Sequence, residues 1–569
     1  MKLVSLLVLG LLVTGCTSQA GAPASTDWKL GAMAATANPY ATDAAAEMLA
    51  AGGHAVDAAI AAHLVLGLVE PQSSGIGGGG FMLVYGREGD SLSFLDGRET
   101  APAGATIDMF MPDGEPLGFI DAKQSGRAVG VPGAFALYEE AHQRFGRLPW
   151  ADLFAPAIKL ADEGFIVSPR MAGFLDRFMR NSTLATNPGA GEYFFPGGEP
   201  LKAGDLRKNP EYADTLRRVA SDGARVFYTG EIAADIVAAT QAPPLGGTMT
   251  LADIENYSVA VRPVICGGFR DYRICTTTPP SSGGAQIAIA NLYDNLGGTA
   301  QPDETGLRAF VDAQRLAYAD RDHYFADPDR VAVPLEALVD PRYLEYRASQ
   351  RFAPAEEPVH GDPATVLNDP SARVDHGEDT TVEGIGTSHL SIIDSDGNAV
   401  SFTATVESFF GSNRWVRGFV LNNELTDFAR TLPADGKMPA NVVAPGRRPR
   451  SSMSPTMVFD DNGLKLITGS PGGNSIPAYT AKSMVGVLAW GMGAQEAVDY
   501  PNIIARGKRV RVETGGGNGA EIANIFKEAG YDVWERDGEN SGIHMIVVHD
   551  DRLEGAADSR REGTVRSLP

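Results

Sequence analysis

The chain has 569 residues, 43% hydrophobic and 21% charged, so it can bury a sizeable core and is not a disordered chain. Its 71 acidic and 48 basic side chains leave a net charge of −23, a field that repels phosphate backbones and excludes nucleic acid as a partner. At roughly 100–200 residues per domain, the length fits two to four domains or one large core of mixed strands and helices. Glycine is enriched, 66 residues or about 12% against a usual 7%, and it clusters, which marks tight backbone at particular places.

The N-terminus stands apart. MKLVSLLVLGLLVTGC has one Lys, an apolar run from Leu3 to Val13, and small residues directly before Cys16. This is a secretory apolar region too short to span a bilayer, and its end resembles a bacterial lipobox. It predicts a lipoprotein signal peptide over 1–15, lipidation of Cys16, and a polar tether over 16–30. The protein would then sit in the bacterial cell envelope, on the periplasmic or extracellular face, held to the membrane by lipid alone.

Residues 40–69 read as helix, break, helix, with Gly52-Gly53 closing the first and Pro71 following the second. SSGIGGGGFMLVY follows and leads into a hairpin ending at FLDGRETAP. Its glycines formally match G-x-G-x-x-G, but a helix precedes and a strand follows. That order is the reverse of a dinucleotide loop and points to close backbone packing. Residues 130–260 read mostly as amphipathic helix. Cys266 and Cys275 then flank a hairpin turn, either bridged or left as two thiols. Helical spacing returns over 304–353, and 354–384 is polar and aperiodic, an exposed linker.

TSHLSIIDSDGNAVSFTATVE predicts two alternating strands around Asp396-Gly397-Asn398. Val400, Phe402, Ala404 and Val406 fall on one face, and Ser401, Thr403, Thr405 and Glu407 on the other. The turn brings Thr387 opposite Thr405 to within a residue of register. A strand, a GSPGG turn and a helix follow, and the tail alternates strand, helix and strand. No metal signature is present. His544 and His549, five apart on a strand, would face opposite ways.

Thr387 stands at the junction of the linker and a strong strand. If the Gly386–Thr387 bond were cut, Thr387 would carry a free amine of pKa near 7.7–8 beside its own hydroxyl, a nucleophile with a built-in base.

TSHLSIIDSDGNAVSFTAT, VLNNELTDF, RPRSSMSPT, GSPGG, SGIGGGGFMLVY, DGRETAP and GAADSRREGT occur in an order that resembles the gamma-glutamyltranspeptidase (glutathione hydrolase) family, over about residues 30–565. The resemblance implies an α+β protein with the αββα sandwich of N-terminal-nucleophile hydrolases, self-cleaved into a large subunit (31–386) and a small catalytic subunit (387–569). It implies Thr387 as nucleophile, Thr405 as its hydrogen-bonding partner, and Gly472 and Gly473 as amide donors to the oxyanion. Arg98, Ser451 and Ser452 would take the substrate α-carboxylate, and Glu424 and Asp427 its ammonium. No cofactor is implied. The partners are a small γ-glutamyl donor and water, an amino acid or a peptide as acceptor.

Two departures from the family pattern bear on substrate. Glu407 stands where glutathione-active members commonly carry Asn, and the segment between Asp427 and Ser451 is short. Two alternatives therefore stay open: an amidohydrolase of the same fold for another acyl group, such as a cephalosporin side chain or poly-γ-glutamate, and an inactive lipid-anchored binding protein.

Overall fold

The structure, a computed structural model, describes residues 28–431 and 436–569. The signal peptide, Cys16 and most of the tether therefore lie outside the described residues. Thirteen strands build its two large sheets: β1 (Ala32–Thr36), β2 (Gly79–Gly86), β3 (Ser91–Asp96), β4 (Ala260–Arg262), β5 (Val264–Phe269), β6 (Tyr272–Thr277), β7 (Gly386–Ile393), β8 (Ala399–Glu407), β9 (Thr456–Asp460), β10 (Gly463–Gly469), β11 (His544–Val548), β12 (Leu553–Ala557) and β13 (Thr564–Leu568). The helices that matter most here are α1 (Pro39–Ala50), α2 (Ala55–Val69), α3 (Gly284–Asn295), α4 (Glu304–Tyr324) and α5 (Ile476–Leu488).

The first sheet runs β13-β1-β7-β8-β2-β3-β4 and the second β12-β11-β10-β9-β6-β5, with antiparallel neighbours throughout. The alternation of β8 sorts its side chains. Val400, Phe402, Ala404 and Val406 pack with α1 and α2 on the outer face of the first sheet. Between the sheets lie Phe81, Leu83, Tyr85 and Ile393 from one, and Met457, Ile467 and Ile546 from the other. On the outer face of the second sheet, Ile274, Val458, Leu466 and Val547 meet α3, α4 and α5. Helix, sheet, sheet and helix thus stack as the predicted αββα sandwich, each apolar face covered.

The α1–α2 pair forms as read, and the Asn38 side chain caps α1 by accepting from Tyr40 N, with Pro39 at the first helical position. Cys266 and Cys275 are direct partners in the β5–β6 hairpin and are joined by a disulfide. His544 is buried, whereas His549 lies past the end of β11 and pairs with Glu554. One expectation needs correcting. The 354–384 segment is not simply exposed: it holds a helical turn at Pro363–Leu367, and Asp379, Thr381 and Glu383 are buried. Ion pairing, to which hydrophobic periodicity is blind, draws it in. No helix among the described residues is long and apolar enough to cross a membrane.

Candidate active site

Thr387 and Thr405 are paired directly across β7 and β8, in closer register than the turn alone fixed. Their hydroxyl oxygens lie 3.2 Å apart. Thr405 Oγ1 also donates to the carbonyl oxygen of Gly386 at 2.6 Å and accepts from Glu407 N at 2.8 Å. β7 spans Gly386 and Thr387, so the carbonyl of the bond expected to break is the one that accepts from Thr405.

A bulge between Thr405 and Glu407 shifts the register, and Glu407 adopts φ +77°, a left-handed conformation costly for a residue with a Cβ. Simple alternation therefore gave the right destination for the wrong reason. The Glu407 carboxylate accepts from Gly384 N, Ser408 Oγ and Asn423 Nδ2.

Arg98 is fully buried behind the threonines. Its guanidinium donates to Glu424 Oε1, to Asp427 Oδ2 at 2.7 Å, and to the carbonyls of Pro449 (3.2 Å) and Arg450 (2.8 Å). Glu424 Oε2 and Asp427 Oδ1 stay buried with no hydrogen-bond partner, two acceptors suited to an ammonium group. Burial raises the pKa of both acids well above the carboxylate range; Arg98 opposes this, and neighbouring acids, Glu407 among them, add to it. Glu99 is pushed up to about 7 by burial, with Arg98 opposing the shift and its carboxyl beside that of Glu424.

Ser451 Oγ accepts from Met453 N at 3.2 Å, and Ser452 Oγ accepts from Arg321 at 2.8 Å. Gly472 (φ +133°) and Gly473 (φ +56°) turn the chain from β10 into α5. A Cβ on Gly473 would lie 2.2 Å from the Gly384 carbonyl oxygen, and one on Gly472 would strike Tyr479, so both positions require glycine. Neither amide donates a hydrogen bond among the described residues.

One pocket is lined by Arg98, Thr387, Thr405, Glu407, Glu424, Asp427, Ser451, Ser452 and Gly473, together with Glu383 and Gly384. Only about 10 Å³ remains free there, about one water, because the linker itself fills it. Gly472 borders this pocket through the turn but does not line it, and the cysteines lie away from it on the β5–β6 hairpin. Sequence reasoning missed Glu99, Glu383, Arg321, Asn423, Arg450 and Arg561. Arg561 donates to the Thr387 carbonyl at 2.8 Å. Four of these stood in plain view, Glu99 in DGRETAP, Asn423 in VLNNELTDF, Arg450 in RPRSSMSPT and Arg561 in GAADSRREGT.

The chain is similar to known proteins in sequence and in fold. The gamma-glutamyltranspeptidase family profile matches residues 41–568. The chain is 35% identical to the glutathione hydrolase proenzyme of Bacillus subtilis (strain 168), over 93% of this chain and 90% of that protein. It is 33% identical to the glutathione hydrolase proenzyme of Escherichia coli (strain K12), over 97% of each. The crystal structure of cephalosporin acylase from Bacillus halodurans is similar with a TM-score of 0.82 at 26% identity, covering 98% of this chain and 100% of that one. With its motifs in order, its sandwich complete and the match running almost end to end, the chain belongs to the gamma-glutamyltranspeptidase family.

Proposed function

We propose that the protein is a γ-glutamyl hydrolase and transpeptidase, acting on glutathione and related γ-glutamyl compounds after cutting itself between Gly386 and Thr387. The observation that carries this reading is the pairing of Thr387 with Thr405 in one pocket with Arg98, Glu424 and Asp427. A nucleophile there faces groups of both signs, as the zwitterionic end of a glutamyl donor requires.

In maturation the Thr387 hydroxyl attacks the Gly386 carbonyl while Thr405 stabilises the developing oxyanion. The peptide nitrogen leaves as the Thr387 amine, and water hydrolyses the resulting ester. The large subunit is then 31–386 and the small one 387–569. In turnover the freed amine takes the hydroxyl proton as Oγ1 attacks the donor's γ-carbonyl, and the amides of Gly472 and Gly473 meet the oxyanion. The amine returns the proton to the leaving group, cysteinylglycine in the case of glutathione. Water, or an amino acid or peptide, resolves the γ-glutamyl-threonyl ester. Ser451, Ser452 and Arg98 face the donor's α-carboxylate, and Glu424 and Asp427 face its ammonium.

The similarity to cephalosporin acylase, together with Glu407, favours a second reading in which the acyl group is glutaryl, with no ammonium. Purified, fully cut enzyme assayed on γ-glutamyl-p-nitroanilide, a glutaryl cephalosporin and poly-γ-glutamate separates the two. A kcat/KM for the glutaryl substrate above that for the γ-glutamyl one would displace the first reading. Residues 1–16 support envelope location with Cys16 lipidated, which mass spectrometry of the mature chain's N-terminal peptide, tether included, would test.

A further inference from the structure

Arg561 is buried against the strand that carries Thr387, and all three of its nitrogens donate to backbone carbonyls. Nε reaches Ser541 at 3.1 Å, Nη1 reaches Thr387 at 2.8 Å and Nη2 reaches Asn540 at 3.0 Å. Among the described residues no carboxylate pairs with it. The chain clears room for this side chain: a Cβ on Gly542 would lie 2.6 Å from Arg561 Cδ. Asn540 Nδ2 donates to the Ile385 carbonyl at 3.3 Å, and its Oδ1 accepts from Arg170 Nη2 at 3.0 Å. Asn540 and Arg561 therefore hold the backbone on both sides of the bond to be cut.

In an extended strand the N–H and C=O of one residue point to the same edge. Thr387 lies in β7, so the nitrogen that self-cleavage frees faces the edge where Arg561 meets the carbonyl, within about 6–7 Å of the guanidinium. The acids near this cation are poor counter-charges. Glu70, which accepts from Ser388 Oγ at 3.3 Å, has its pKa raised by burial, with Arg170 and Arg561 opposing. Asp558 pairs with Arg560, and Glu562 accepts from the Arg170 amide. Burial pulls Arg561 itself down to about 9, which leaves it cationic at neutral pH.

We propose that Arg561 is a positioning residue that keeps the freed Thr387 amine neutral, and so able to take the hydroxyl proton. This rests on Thr387 as the nucleophile of the reading above. The pocket side works the other way. Glu383 is matched by Arg321 and Arg450, and Glu424 and Asp427 by Arg98. No cation touches Glu407 among the described residues, and Lys123 and Arg430 act on it only through space. Burial holds His389, on the same strand, and Tyr479 of α5 neutral. The pocket acids thus favour an ammonium at Thr387, and Arg561 opposes them from the amine's own edge, where a second positive charge is repelled and a neutral amine is not. At an effective dielectric near 20, a unit charge about 6 Å away shifts a titration by about one to two pH units.

The test is the pH profile of kcat/KM for γ-glutamyl-p-nitroanilide, whose acid limb reports the amine of the free enzyme, on protein that a gel shows to be fully cut. In Arg561→Met the midpoint of that limb should rise by about one to two pH units, while Arg561→Lys, which keeps the charge, should stay within about 0.5 unit of wild type. A methionine variant that is slower at every pH with an unmoved limb would make Arg561 structural only and overturn the proposal. A second arm needs no variant. In cut wild-type enzyme, reductive methylation of the Thr387 amine should reach half its maximal rate at or below the pH found for the peptide Thr-Ser-His-Leu-Ser. A midpoint above the peptide's would also overturn the proposal. A wild-type chain that never cut itself would instead defeat the nucleophile reading, and this proposal with it.

Discussion

Thr405 Oγ1 donates its only proton to the carbonyl oxygen of Gly386, at 2.6 Å. Its 3.2 Å contact with the Thr387 hydroxyl must therefore run the other way, with Thr387 donating. The two threonines and the scissile carbonyl form a directed chain. Thr405 draws electron density from the carbonyl while its oxygen accepts the proton side of the nucleophile.

Thr405→Val keeps the shape of the side chain and removes this chain. Losing one oxyanion donor typically costs about 10²–10³ in rate. Self-cleavage of the purified precursor, followed by gel, should slow by about that factor, while Thr405→Ser should stay within about tenfold of wild type. Cleavage of the valine variant at the wild-type rate would remove Thr405 from the mechanism.

Thr387→Ala should remain a single chain. In the wild type, 569 less 386 leaves a small fragment of 183 residues. N-terminal sequencing should read Thr-Ser-His-Leu-Ser, and any other start would move the nucleophile.

Arg98→Lys keeps the charge but cannot hold Glu424 and Asp427 with one planar fork. Maturation should proceed, because it needs no bound donor. The kcat/KM for γ-glutamyl donors should fall by an amount corresponding to about 1.5–3 kcal/mol. Unchanged kinetics in fully cut enzyme would show that the pair plays no part in donor binding.

Glu407→Asn opposes two effects. Asn tolerates the φ of +77° better than Glu, and one acid leaves a crowded cluster. Against that, Gly384 N and Asn423 lose a charged acceptor. Maturation should slow, since the linker is held less firmly, whereas kcat/KM of the cut enzyme on γ-glutamyl donors should stay within about fivefold. A several-fold gain on those donors, with a wild-type preference for glutaryl, would support the acylase reading.

Glu99 gives a pH-dependent signature. Burial raises its pKa from 4.5 to about 7, so the folded protein holds a proton there that the unfolded chain releases earlier. The stability this proton provides is complete below about 4.5 and is lost as pH rises to about 7. Glu99→Gln does not titrate. Its stability relative to wild type should therefore increase between pH 4.5 and 7 by an amount of order 3 kcal/mol, then level off. Thermal unfolding at pH 4.5 and 8 checks this, and an equal gap at both would mean that Glu99 is ionised throughout.

The sandwich and its nucleophile strand were legible because β8 alternates and the Asp-Gly-Asn turn sets its register against β7 within narrow limits. Val400, Phe402, Ala404 and Val406 had to face one apolar layer, which left Thr405 facing the other way, toward Thr387. Family motifs named most of the pocket for the same local reason: each motif is a short run whose spacing is set by one turn.

Only the tertiary structure decided which charges meet. Arg98 and Glu424 are 326 residues apart, and Arg450 and Glu383 are 67 apart. No periodicity links such positions, since ion pairs depend on which loop ends the two sheets bring together. The linker read as exposed because its composition is polar, yet Glu383 is buried because two arginines from other elements surround it. A sequence carries hydrophobic period and turn chemistry locally, within a few residues. The partner of a buried charge is set by the whole packing, where the cost of desolvating an ion must be offset by whatever opposite charge the fold places beside it.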